Sequence, residues 1–202
     1  MDIERIDTYA DARFSQKVLK QHGCFLVDEE PYEVEIVSDH EAILRGRNTD
    51  AFDPLMDAFR FYTPHITTFY DASGRIWKEY PQREVLTLSV DMIQPSQFYV
   101  DEEKVKAVSS FIQAPEDIII QVLPYGERYI SLDGHTRLYY AVRKGFESVR
   151  AVVETSEDWV YSFVAEAQKR NVYTPKDLQK LEHSQYEEKW NRFCDRLLGR
   201  EE

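Results

Sequence analysis

The chain holds only two cysteines in 202 residues. Cys24 and Cys194 stand far apart and form no CxxC pair, which argues against a disulfide scaffold or a dithiol redox centre and suits a reducing compartment. Long apolar runs are also missing: nothing approaches the roughly 18 uninterrupted apolar residues of a membrane helix. The opening MDIERIDTYADARF carries acids where a secretion signal has its apolar core. A cytoplasmic protein without a membrane partner is therefore expected. Basic residues are scarce, 25 against 37 acids, for a net charge of −12. No segment escapes this: basic and acidic residues number 10 and 16 in 1–83, 7 and 11 in 84–155, and 8 and 10 in 156–202. Such a surface repels a phosphodiester backbone, so nucleic acid is not expected as a partner. His22, His40, His65 and His183 show no ligand spacing such as HxxxH, and no metal site is expected.

What is present is ordinary globular material, 43% apolar, with prolines and glycines scattered as punctuation rather than gathered into a linker. Three stretches differ in texture, and an α+β fold is predicted from them. In 1–83, Phe14, Val18 and Leu19 have helical spacing ending at Gly23, and CFLVD, YEVEIVS and AILRG read as strands. Asp53 before Pro54 predicts a helix through about Phe59, and HITTFY and RIWKEY around DASG predict a hairpin. In 84–155, VLTLSV alternates as a strand, and Asp101 caps a helix carrying Val105, Val108 and Ile112. IIIQVL and RYISL follow as strands, then a helix with Leu138, Ala141 and Val142 on one face, then the strand SVRAVVE. The third stretch, 156–202, is predicted to be helical: DWVYSFVAEAQKR, a helix begun by Thr174 and Pro175, and a capping box at Ser184 and Glu187. Its aromatic residues Trp159, Phe163, Tyr186, Trp190 and Phe193 are expected to pack on the body, with a partner or a second copy as the other reading.

The informative junction is ISLDGHTRLYYAVRKGF, residues 130–146. Where a strand gives way to a helix at a glycine, the first helical amides lack intrahelical acceptors and lie at the positive end of the dipole. Gly134 allows close backbone approach, Thr136 offers a hydroxyl, and Arg137 offers a fork that fits phosphate oxygens. Asp133 is placed to orient His135 or Arg137, to cap the helix, or to accept a proton. The plainer reading stands beside this one: Asp caps, Gly turns, and Arg is a solvated first-turn residue. Tyr139 and Tyr140 either cover a ligand or pack internally.

Residues 86–154, with VDMIQPSQFYVDEEKVKAVSSFI, IIIQVL and RYISLDGHTRLYYAVRKGFESVRAVV in this order, resemble the ParB/sulfiredoxin superfamily. The resemblance implies a ParB/sulfiredoxin-like domain over 84–155, between an N-terminal α+β unit and a C-terminal helical segment. It also implies a box at a helix N-terminus that holds nucleotide phosphates, with ATP, ADP or CTP and Mg²⁺ as cofactors. Gly134, His135, Thr136 and Arg137 are the implied binding residues, and Asp133 and His135 the candidate catalytic ones. Sulfiredoxins carry a reactive cysteine where His135 stands, so that chemistry is not implied. ParB proteins carry a glutamate and several arginines in the box, which here has one arginine. Free-serine kinases of this fold are similar in the Asp-Gly-His order, which implies phosphotransfer or nucleotide hydrolysis. Their catalytic glutamate falls near Ser96 and Gln97 of this chain. A regulatory module without catalysis is the alternative.

Overall fold

The computed structural model describes residues 1–199, so the last three positions of the C-terminal segment lie outside the described residues. The chain is α+β and divides into two compact units, Met1–Glu84 and Val85–Glu202.

The first unit is one six-stranded sheet in consecutive order: β1 (Ile3–Arg5), β2 (Cys24–Val27), β3 (Glu30–Ile36), β4 (Glu41–Arg45), β5 (Thr68–Tyr70) and β6 (Ile76–Glu79). Neighbours are antiparallel except β4 and β5. That parallel step needs a crossover, supplied by helix α2 (Phe52–Tyr62). Alternation along the strands sends Phe25, Val27, Val34, Leu44 and Phe69 to one face, where they meet Leu55, Met56 and Phe59 of α2. The opposite face is partly covered by α1 (Gln16–Lys20), through Phe14, Val18 and Leu19 against Cys24. Asp53 does not cap α2. Asn48 turns the chain first, its side chain accepting from Asp50 N, and the helix starts at Phe52 and outruns Phe59 by three residues. In the DASG turn, Asp71 accepts from the Ser73 hydroxyl and from the amides of Ser73 and Arg75 at 2.9 and 3.1 Å; the hydroxyl bond first, and the amide bonds after it, hold its carboxyl down at about 2.

The second unit has a five-stranded sheet built from β7 (Leu86–Ser89), β8 (Ile93–Pro95), β10 (Ile119–Tyr125), β11 (Arg128–Ser131) and β12 (Ser148–Val153). The spatial order is β7-β12-β10-β11-β8, with β10‖β12 and β8‖β11 parallel and the other pairs antiparallel. Helices α3 (Glu102–Ser109) and α4 (His135–Lys144) contribute Val108, Leu138 and Ala141 to the core that contains Ile120, Val122, Val149 and Ala151. Helix α5 (Trp159–Lys169) brings Val160 and Val164 against Ile130.

The C-terminal stretch is not purely helical. Thr174-Pro175 starts a single turn closed by Asp177, which accepts from the amides of Tyr173 and Thr174. The chain then extends as β13 (Gln179–Leu181) beside β9 (Tyr99–Asp101). A neighbouring strand edge thus overrides the helical start signal. The helix that follows begins at His183, one residue before the predicted cap Ser184, and runs on as α6 (His183–Tyr186), a π-helical turn (Glu187–Asn191) and α7 (Arg192–Leu197). Phe163, Tyr186 and Trp190 are buried in the same core as the sheet, with Phe193 against it. The guanidinium of Arg170 lies 4.4 Å from the ring centre of Phe98 in this cluster. Trp159 alone of the five aromatic residues is exposed.

Candidate functional site

Because β8 and β11 are parallel and adjacent, their C-terminal ends open side by side, and the chain leaves β11 straight into the box. Gly134 is the N-cap of α4 at φ 81°, a left-handed conformation that side chains disfavour. Space demands glycine too, since a Cβ there would lie 2.5 Å from Ile120 Cγ2 on β10. The carbonyl of Gly134 accepts from the amide of Leu138. Among the described residues, the amides of His135, Thr136 and Arg137 meet no acceptor. Three donors therefore point out of the positive end of a ten-residue helix.

Arg137 stands at the same end with its fork engaged. Nη2 donates to Asp133 Oδ2 at 2.9 Å and Nη1 to the Ile119 carbonyl at 2.6 Å. The pair is open to solvent, with the Asp133 side chain 52% and the Arg137 side chain 30% exposed; such pairs contribute about 0–1 kcal/mol. Thr136 is half-buried.

His135 is placed differently from its neighbours. Its side chain is buried, with Nε2 lying 3.0 Å from Ser131 Oγ and 3.2 Å from Ser96 Oγ. Ser96 donates its one proton to the Ser131 carbonyl at 2.7 Å, so toward the imidazole its oxygen can only accept. Burial holds the imidazole pKa down to about 4 against the opposing pull of Asp133, which keeps it neutral near pH 7. The expectation that this side chain meets a ligand therefore gives way to another placement: the imidazole braces the ends of β8 and β11 from beneath, and only the main-chain amide of His135 remains at the helix end. Ser131 and the Ile119 carbonyl were not foreseen. Ser131 has the i, i+4 spacing to His135 as a signal, whereas Ile119 carries none because any residue type offers the same carbonyl. Gln97, the other position near the kinase glutamate, donates to the hydroxyl of Tyr186 at 3.0 Å. Tyr139 and Tyr140 are buried in the core of this unit, not open to a base.

Among the described residues no three or more His, Cys, Asp or Glu side chains gather as a metal site, and none of the helices is long and apolar enough to cross a membrane. The Cys24 thiol is pushed up to about 12, chiefly by burial, which keeps it an unreactive thiol.

No family model matches the chain, and no curated protein matches it significantly. Among solved structures, the protein Atu1540 from Agrobacterium tumefaciens is similar over 48% of this chain and 62% of its own, at 17% identity and a TM-score of 0.35. At that level the likeness carries neither fold nor function across.

Proposed function

We propose that the second unit binds a nucleotide or another phosphorylated ligand at the N-terminus of α4, in keeping with the ParB/sulfiredoxin-like character of 84–155. One observation carries the reading: three adjacent amides without acceptors, behind a glycine that nothing bulkier can replace, share one helix end with a guanidinium. The phosphoryl oxygens take the amides of His135, Thr136 and Arg137, and the Thr136 hydroxyl adds a donor. Asp133 occupies the guanidinium in the meantime. Its exposed pair with Arg137 is weak enough for a doubly charged ligand to displace. Once displaced, the Asp133 carboxylate is the group placed to accept a proton, in phosphotransfer or in nucleotide hydrolysis. His135 acts as a positioning residue. The residues at this end include only one carboxylate side chain within the box, too few to hold Mg²⁺ without the ligand's own oxygens, and no step is assigned to the metal.

The test is a titration with ATP, ADP, CTP and pyrophosphate, each with and without Mg²⁺, followed by amide NMR and thermal shift. The amide signals of His135, Thr136 and Arg137 are expected to move first. Arg137→Ala should weaken binding about tenfold or more, a loss of roughly 1.5–3 kcal/mol for a charged hydrogen bond. Asp133→Asn should tighten it by removing the internal competitor. If none of the four ligands moves those amides at millimolar concentration, the proposal fails. Release of ADP or phosphate lost in Asp133→Asn, with binding retained, would mark the site as catalytic.

A further inference from the structure

In the first unit a groove of about 330 Å³ runs between the edge strand β1 and helix α2, lined by Ile3 and Arg5 from the strand, Phe25 below, and Asp57, Ala58, Phe61 and Tyr62 from the helix. That volume is at the lower end of the range for ligand clefts. Three features set it apart from an ordinary surface dip. Phe61 stands 75% exposed at its rim, an unusual position for a large ring. Arg5 lies flat on Tyr62, its guanidinium carbon 3.5 Å from the ring centre, and its Nη2 pairs with the exposed Asp7 at 2.7 Å, yet its buried Nε has no acceptor. The strand beside the groove is also unpaired on its outer side. Ile6 N donates to Cys24 O and Asp28 N to Asp2 O, so residues 2, 4 and 6 face β2, and the alternation of an antiparallel ladder turns the N–H and C=O of Ile3 and Arg5 outward. β1 pairs only with β2, at the end of the sheet.

We infer that β1 and the α2 groove form a docking site for an extended peptide of complementary charge, which adds as a seventh, antiparallel strand and seats an apolar side chain beneath Phe61. Strand addition of this kind draws affinity from main-chain bonds and specificity from pockets for alternate side chains. The charges of β1 select the occupant. Cross-strand pairs favour an apolar residue opposite Ile3, a basic one opposite Glu4 and an acidic one opposite Arg5, the last supplying an acceptor for the Nε that the Asp7 pair leaves unserved. A second copy of this chain is a poor occupant. Symmetric antiparallel pairing puts Glu4 opposite Glu4, Arg5 opposite Arg5, or Asp2 opposite Glu4, according to register, and like charges directly opposed are destabilising.

The probe is a capped, fluorescein-labelled peptide of one-letter sequence TVEKFTT, titrated against the full chain by anisotropy. Saturable binding below about 1 mM is expected. Ile3→Pro removes an outward N–H that the fold itself does not use and should weaken binding about tenfold more than Ile3→Ala, which loses the same contact with the core but keeps the N–H. Arg5→Glu should weaken it about threefold to fivefold, and a peptide with lysine in place of its glutamate should restore the loss. That rescue does not depend on the proline variant folding. Absence of saturation, or binding indifferent to both substitutions, overturns the inference. A dimer in sedimentation that Ile3→Pro dissolves overturns it too, because the edge then belongs to a second copy.

Discussion

The two units solve the same problem, a sheet covered by helices, with different interiors. In 1–84 the strand order follows the chain and the core beneath α2 is wholly apolar and aromatic, with Phe59 at edge-on ring distances of 6.3 Å from Phe25 and 6.2 Å from Phe69. In 85–199 the order is shuffled and polar groups go inside: Gln94, Ser96, Asp101, Ser131 and His135 are all buried. Each has a partner far along the chain. Gln94 donates to Val172 O at 2.9 Å, Ser96 to Ser131 O, and Asp101 meets His183 Nδ1 at 2.7 Å. Strands that are not neighbours in sequence bring loop ends together inside the unit, and the main-chain groups of those ends need partners there. In the first unit the buried polar residues His65, Thr67 and Asp71 gather around β5 alone, at the crossover and the hairpin turn. The unit with the shuffled sheet is accordingly the one in which a strand end and a helix start meet at a left-handed glycine.

The sharpest break of this comparison is Phe59→Ala, which removes a ring from the apolar core and should cost about 3–5 kcal/mol. Hydrogen exchange is expected to accelerate across β2–β5 and leave β10–β12 protected. Protection lost equally in both units would show the cores to be coupled. Next is the pair Gly134→Ala and Gly74→Ala. Both glycines have φ near 80°, but Gly74 has open space where Gly134 has Ile120. The first should lose about 2–4 kcal/mol, backbone strain plus overpacking, and the second about 1–2 kcal/mol, strain alone. Denaturant melts of the two proteins decide it; equal losses would remove the close packing under the box as a cause.

Acid should separate the units by order of failure. His135 has a lowered pKa, so the folded state binds fewer protons than the unfolded one. Its contribution is complete above about 6.5 and falls away as pH drops toward about 4, by roughly 3 kcal/mol at most. Asp71 is also lowered, so its contribution is complete above its ordinary 3.8 and is lost only as pH falls toward about 2. Amide signals of β8 and β11 should therefore weaken between pH 6 and 4, before those of the β5–β6 turn. The smallest effect lies on the other limb. His183 is raised above 6.5, first by its hydrogen bond to Asp101, so its contribution is complete below 6.5 and is lost as pH rises through the folded value. His183→Gln should flatten the stability profile above neutrality and leave the acid limb as it was.

Much of the first unit was legible. The alternation of CFLV, EPYEVEI and EAILR is local, and DASG makes its turn with its own side chain, so no distant partner decides the outcome. The parallel placement of β5 beside β4 was not legible, because periodicity gives a strand's faces and not its neighbour. In the second unit the glycine junction was visible for the same local reason: a left-handed residue before a helix needs glycine. The fate of Arg137 and His135 was not. Arg137 as a free phosphate fork and Arg137 paired to Asp133 have the same sequence, and the i, i+4 spacing that permits the pair is common on any helix. His135 was expected among the binding and catalytic residues because the resemblance implies a role for the histidine that follows the box glycine. It faces inward because β8 lies beside β11 and presents Ser96. TPKDL misled for a related reason, since its proline and aspartate make one turn whether a helix or a strand follows.

By itself the sequence determined the α+β class, the elements whose faces repeat at regular spacing, the acidic surface, and the glycine at which a strand becomes a helix. These depend on steric preference and hydrophobic period, which act within a few residues of the chain. Only the tertiary structure decided which strands are neighbours, that the C-terminal stretch returns as β13 beside β9, that His135 lies under the box while three amides stay open above it, and that β1 is left as a bare edge next to a groove. Those outcomes hang on contacts between residues tens of positions apart, where the free energy of pairing one edge with another is not written in either segment alone.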